Sequence, residues 1–143
     1  MYGKTFAIDA TTGLIKRELG LAALTATAYV GTQWNQGAAA VTDGVCVINV
    51  EAISDSTDEV YTFRVVGSNV ADRSDGQVLA MAQLGKASTI TIETVNGAAG
   101  QRLEIPFRTQ KDETAFRYVD LHLTAAGTSK SITFGAYFSK EVC

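Results

Sequence analysis

The stretch Arg102-Leu-Glu-Ile-Pro-Phe-Arg108 decides the fold. On an extended chain Leu103, Ile105 and Phe107 point to one side, and Arg102, Glu104 and Arg108 to the other. A period of two marks a strand with one buried and one wet face. Moving outward, the same alternation recurs. In residues 117–123, Val119, Leu121 and Leu123 oppose Tyr118, Asp120 and His122. In residues 131–139, Ile132, Phe134, Ala136 and Phe138 alternate with Thr133, Gly135, Tyr137 and Ser139. Upstream, residues 45–53 place Cys46, Ile48, Val50 and Ala52 on one face, and residues 59–68 set Tyr61, Phe63 and Val65 against Thr62 and Arg64. Weaker strand candidates are residues 25–34, 77–84 and 89–95. Turns are expected at 42–44, 54–58, 72–76, 96–100 and 126–128, where Gly, Asp, Asn and Ser gather. Short strands at this spacing predict an antiparallel all-β sandwich or barrel. Pro106 cannot donate to a ladder, so its strand is expected at an edge or at a bulge.

With 143 residues, the chain suits one domain. A domain of this size buries roughly 70% of the surface its unfolded chain exposes, enough for a core without metal or disulfide. The first 24 residues hold no period and are expected to form an N-terminal arm ahead of the domain at 25–143. The arm is either extended or, over residues 14–24, a helix limited by Gly13 and Gly20 to about two turns.

Charged residues make up 19% of the chain and the net charge is -3. The arginines Arg64, Arg102, Arg108 and Arg117 are spread among strands that also carry Glu59, Glu104 and Asp120, so no basic face for nucleic acid is expected. No apolar run approaches the ~18 residues of a membrane span, and Met1-Tyr-Gly-Lys4 does not open a signal peptide. Cys46 reads as a small core hydrophobe and Cys143 as a free tail thiol, since one possible pair makes no disulfide framework.

Chemistry is scarce. His122 is the only histidine, so one chain cannot assemble a multi-imidazole metal site, nor a zinc site drawn from His and Cys. A Ser-His-Asp triad would have to use His122, and no Gly-x-Ser-x-Gly elbow presents a nucleophile. Asp72-Arg-Ser-Asp-Gly76 resembles the start of a calcium loop but lacks the closing Glu, and reads as a turn capped by aspartate. Asp55, Asp58 and Glu59 read as a solvated acidic loop. No catalytic, cofactor or metal residue is expected. Trp34 at the end of its strand either caps the core or anchors a partner.

The order of segments resembles the small jelly-roll cement, or decoration, proteins of tailed bacteriophage capsids, of the Bordetella phage and epsilon15 type. The likeness is carried by Val47-Ile-Asn-Val-Glu51, Tyr61-Thr-Phe-Arg-Val-Val-Gly-Ser68, Leu103-Glu-Ile-Pro-Phe107, Phe116-Arg-Tyr-Val-Asp-Leu121 and Ile132-Thr-Phe-Gly-Ala-Tyr-Phe138, across residues 45–140. It implies a jelly-roll sandwich of about eight strands on the outside of a shell of major capsid protein with the HK97-like fold. It further implies self-association, commonly as a homodimer, and linkage of neighbouring capsomers. Such a protein is made in the host bacterial cytoplasm and resides on the virion, where an acidic chain suits the outer surface better than contact with packaged DNA. Partner contacts are expected from the arm and loops: Leu14 and Arg17, Trp34 with Asn35 and Gln36, and Asp72 with Arg73. Trp34, Asn35 and Gln36 are also the one cluster of a type that binds sugar, which makes a carbohydrate-binding virion module the alternative. A tail or baseplate subunit is a third.

Overall fold

The computed structural model describes residues 5–7, 14–85 and 102–142. The expected strand at 89–95, the turn at 96–100 and Cys143 lie outside these residues, as does much of the arm. Among the described residues ten strands follow in chain order: β1 (Thr5–Ala7), β2 (Ile15–Arg17), β3 (Ala28–Ala40), β4 (Asp43–Ile53), β5 (Val60–Ser68), β6 (Gln77–Gly85), β7 (Arg102–Arg108), β8 (Gln110–Lys111), β9 (Thr114–Ala126) and β10 (Ile132–Val142). All pairings are antiparallel.

One sheet runs β1-β10-β4-β7, with β2 also on β10; the other runs β3-β9-β5-β6, with β8 on β9. Without the short β1 and β8, the orders β2-β10-β4-β7 and β3-β9-β5-β6 are those of an eight-stranded jelly roll built from two Greek keys. The first jelly-roll strand, β2, lies within the stretch read from sequence as an arm. Of its two expected conformations residues 15–17 take the extended one, because β10 offers them a ladder. β7 ends its sheet, and Pro106 stands opposite Val45 there, so its missing N–H interrupts no inner ladder. The turn expected at 42–44 is shorter, since Asp43 and Gly44 already belong to β4.

Most apolar positions read from the alternation line the space between the sheets: Cys46, Ile48, Val50, Tyr61, Phe63, Val65, Ile105, Phe107, Leu121, Leu123, Phe134 and Phe138 are all buried. Ala52, expected on the same face, is exposed instead, at the place where the β4–β10 register shifts. Aromatic rings knit the two layers. Phe63 of β5 meets Phe134 of β10 edge-on at 5.1 Å, and Trp34 of β3 meets Phe138 of β10 at 6.2 Å. The Tyr61 hydroxyl donates to the Ser54 carbonyl at 2.7 Å and accepts the Ser131 N–H at 2.8 Å, tying two loops to one end of the core.

Three expectations give way here. Trp34 is 3% exposed and serves the core, not a partner. The β3–β9 register shifts between Val30 and Trp34, where Gly31 takes φ +73°; four residues of β3 there span two of β9, and Trp34 stays on the inner face with Val30. Leu14 is fully buried in the same core, and its carbonyl accepts the Phe138 N–H at 2.7 Å. Glu59 is buried, not solvated: its carboxylate accepts the Thr57 and Asp58 N–H groups at 2.9 and 3.0 Å, which hold its pKa below the usual range.

Candidate binding surfaces

Two outward faces carry the side chains available to a partner. On the outer face of β3-β9-β5-β6, cross-strand register lines up Tyr29, His122, Arg64 and Met81 in one row. Thr124, Thr62 and Gln83 form the adjoining row. Tyr29 and Met81 are 42% and 41% exposed. His122 packs edge-on against Tyr29 at 4.7 Å; burial, then the nearby Arg64, hold its imidazole below its ordinary pKa. Arg64 Nη1 donates to Thr124 Oγ1 at 2.6 Å.

A clamp borders this platform. Arg73, held at φ 65° in the 69–76 loop, pairs with the buried Asp120: Nη2 donates to Oδ1 at 3.0 Å, and Nε lies 3.0 Å from Oδ2 as an ion-pair contact without a hydrogen bond. Its guanidinium also stacks 4.1 Å from the centre of the Tyr29 ring. Gln33 adds a donor to Asp120 at 2.9 Å. Asp72 accepts the Ser74 N–H at 2.9 Å, which makes the stretch the aspartate-capped turn expected from sequence. Thus Arg73 is committed within the chain, and Asp72 stands exposed in the loop beside it.

The second face lies on β2, β10 and β4. Ile15, Arg17, Glu18, Leu19, Asn49 and Tyr137 border a groove of about 250 Å³. Its depth comes from Gly135, over which the Leu19 side chain rests; a Cβ there would lie 2.8 Å from Leu19 Cδ2. Leu19 and Leu21 are both exposed. Arg17 fastens this segment, donating from Nε to the Phe134 carbonyl at 3.0 Å and from Nη2 to the Ala22 carbonyl.

The proposed sugar cluster is dispersed. With Trp34 inside, Gln36 donates to the Phe116 carbonyl at 2.7 Å and accepts the Thr42 hydroxyl at 2.7 Å. Asn35 is exposed, but its Oδ1 accepts from Gly37 N–H and Arg117 Nε.

Besides Glu59, two buried charges escaped the sequence reading, Asp120 and Lys16. Lys16 is 3% exposed; Nζ donates to the Thr32 carbonyl at 2.6 Å and sits 4.5 Å from the centre of the Phe138 ring. Burial pushes its pKa down to about 8. Burial likewise pushes the Cys46 thiol up to about 12, as befits a core residue. Among the described residues no three His, Cys, Asp or Glu side chains gather where a metal ion could be held.

No family model matches the chain, and no curated protein matches it. Among solved structures it is similar to a xylan-binding module, CBM15, with a TM-score of 0.45 and 18% identity over 99% of this chain and 98% of the other. A likeness this distant bears on neither ligand nor partner.

Proposed function

We propose that this chain is a structural virion protein that binds the outside of a phage capsid and cements neighbouring capsomers. The observation that carries the reading is the placement of exposed apolar side chains on opposite faces of one rigid sandwich. Leu19 rests over Gly135 on one sheet, with the exposed Leu21 two residues on, and Tyr29, Val78 and Met81 stand on the other. A cement needs two separate contacts, because joining neighbours turns the second binding event into an intramolecular one. If the chain binds only the assembled shell, each bound copy favours that state by mass action and no catalytic group is required. The cement resemblance of residues 45–140 supplies the identity of the partner.

The test compares shells purified with and without this protein. The reading expects co-sedimentation with the shell and a higher temperature of DNA release; equal release temperatures, or no co-sedimentation, would sink it.

A carbohydrate-binding module of a virion is the second reading, and the observation that favours it is the groove beside Tyr137. An aromatic ring flanked by Asn49, Arg17 and Glu18 has the make-up of a sugar site. Glycan-array binding lost in Tyr137→Ala would support it, and loss in Trp34→Ala alone would report only unfolding.

A further inference from the structure

We propose that the outer face of β3-β9-β5-β6 docks against a carboxylate-bearing surface of a different protein and not against a second copy of this chain. The inference rests on the capsid reading only for the name of that protein.

Composition marks the face first. In the row Tyr29, His122, Arg64, Met81, three of the four residues, Tyr29, Arg64 and Met81, are of types enriched at interface centres, and the rows beside it carry Thr62, Thr124 and Val78 in place of Lys or Glu. The opposite sheet differs: its outer positions include Arg102 paired with Glu104 at 3.0 Å and Arg108 paired with Asp43 at 2.7 Å. Those are exposed, solvated pairs of the kind worth little.

Charge then selects the partner. Arg64 stands at the centre of the row, with Met81 across one strand and His122 across the other, and its guanidinium is bonded to the Thr124 hydroxyl. Among the described residues it has no carboxylate within ion-pair distance. The one carboxylate of the face among the described residues, Asp120, is already taken by Arg73 and Gln33. Asp72 and Asp75 in the bordering loop are turned to backbone N–H groups of that loop. A second copy laid symmetrically on this face would bring arginine toward arginine with no acid to oppose them, a like-charge arrangement that costs binding. A partner offering Asp or Glu beside aliphatic side chains satisfies both Arg64 and the apolar ends of the row.

The experiment uses the whole chain and shells of the major capsid protein that the capsid reading gives it as partner. Arg64→Glu and Met81→Asp are each checked for wild-type melting and then for co-sedimentation. Each is expected to weaken shell binding roughly tenfold or more, Arg64→Lys to bind within a few-fold of wild type, and the mass by light scattering to stay unchanged. The inference is overturned if both variants bind like wild type while Leu19→Glu does not, or if either variant changes the oligomeric state. Should the wild-type chain fail to sediment with shells, the capsid reading falls, and the face is judged by titrating isotope-labelled chain with poly-L-glutamate. Amide shifts at Tyr29, Arg64 and Met81 that vanish in Arg64→Glu uphold it; shifts elsewhere, or larger ones with double-stranded DNA, overturn it.

Discussion

Replacing Lys16 with methionine removes a charge that the fold holds against its solvation preference, and the effect has a calculable dependence on pH. The folded pKa is about 8 against an ordinary 10.5, because burial outweighs the favourable field of Asp120 and Cys46, and Arg73 opposes the charge as well. Between those values the unfolded chain binds more protons than the folded one, so this group makes stability rise with pH across about 8 to 10.5. Below about pH 8 both states are charged and the cost is constant; above 10.5 both are neutral and it vanishes. A tenfold difference in proton affinity is worth about 1.4 kcal/mol, so the full cost is about 3 kcal/mol, of which about 2.5 kcal/mol is relieved between pH 7 and pH 10. Cys46 acts in the opposite sense: its folded pKa of about 12 lies above the ordinary 9.0, so stability from that thiol falls as pH climbs past 9. Tyr61, also raised, adds to the fall at still higher pH. The raw curve of either protein therefore mixes signs, and the difference between them isolates the lysine. Urea unfolding at pH 7, 8, 9 and 10 should show wild type gaining about 2.5 kcal/mol relative to Lys16→Met. Parallel curves would refute the buried charge. The thioether fills the same stem volume and leaves the Thr32 carbonyl without its donor, at about 1 kcal/mol, so the variant should still be the more stable at pH 7.

Three further outcomes follow from the same structure. Trp34→Ala should cost about 3–5 kcal/mol in denaturant unfolding, since it empties the space against Phe138; a loss under 1 kcal/mol would return the indole to the surface. Arg73→Ala should cost about 2 kcal/mol, less than a fully buried pair because the guanidinium is partly exposed and Gln33 still donates to Asp120; Asp120→Asn in the same background should recover part of it. Cys46 should resist a thiol reagent at pH 8 in the folded chain and react at once in urea, because its sulfur is buried and protonated.

The sandwich was legible because its long strands each repeat a period of two often enough to mark a face. Residues 102–108, 117–123 and 131–139 point inward as their alternation says. Where the period is short or broken, the signal fails. β2 has three residues and its inward one is Lys16, so an apolar count finds no face there. β3 is long, yet its pairing with β9 slips after Val30 and again after Asn35. The first slip sets four residues of β3 against two of β9 and leaves Thr32 exposed between the buried Val30 and Trp34, so the alternation is interrupted and Trp34, followed by Asn-Gln-Gly, looks like a loop residue while lying in the core. Gly31 is the trace such a break leaves in sequence: a side chain there would strike the Lys16 carbonyl, and its positive φ suits glycine alone.

The docking face was beyond the sequence for a different reason. Alternation labels Arg64 and Arg102 alike, as charged outward residues of strands. What separates them is the neighbour across the ladder and along the face. Arg102 has Glu104 two residues on and Asn49 opposite, while Arg64 has Met81 on one side and His122 on the other. An arginine that is answered within its own chain contributes solubility. One that is flanked by a thioether and a neutral imidazole has its charge unanswered in a partly dry row, and gains by meeting a carboxylate from outside. Register, which assigns those neighbours, is set by strand pairings between segments dozens of residues apart. Two residues of one type and one pattern therefore acquire different roles only when the sheets close.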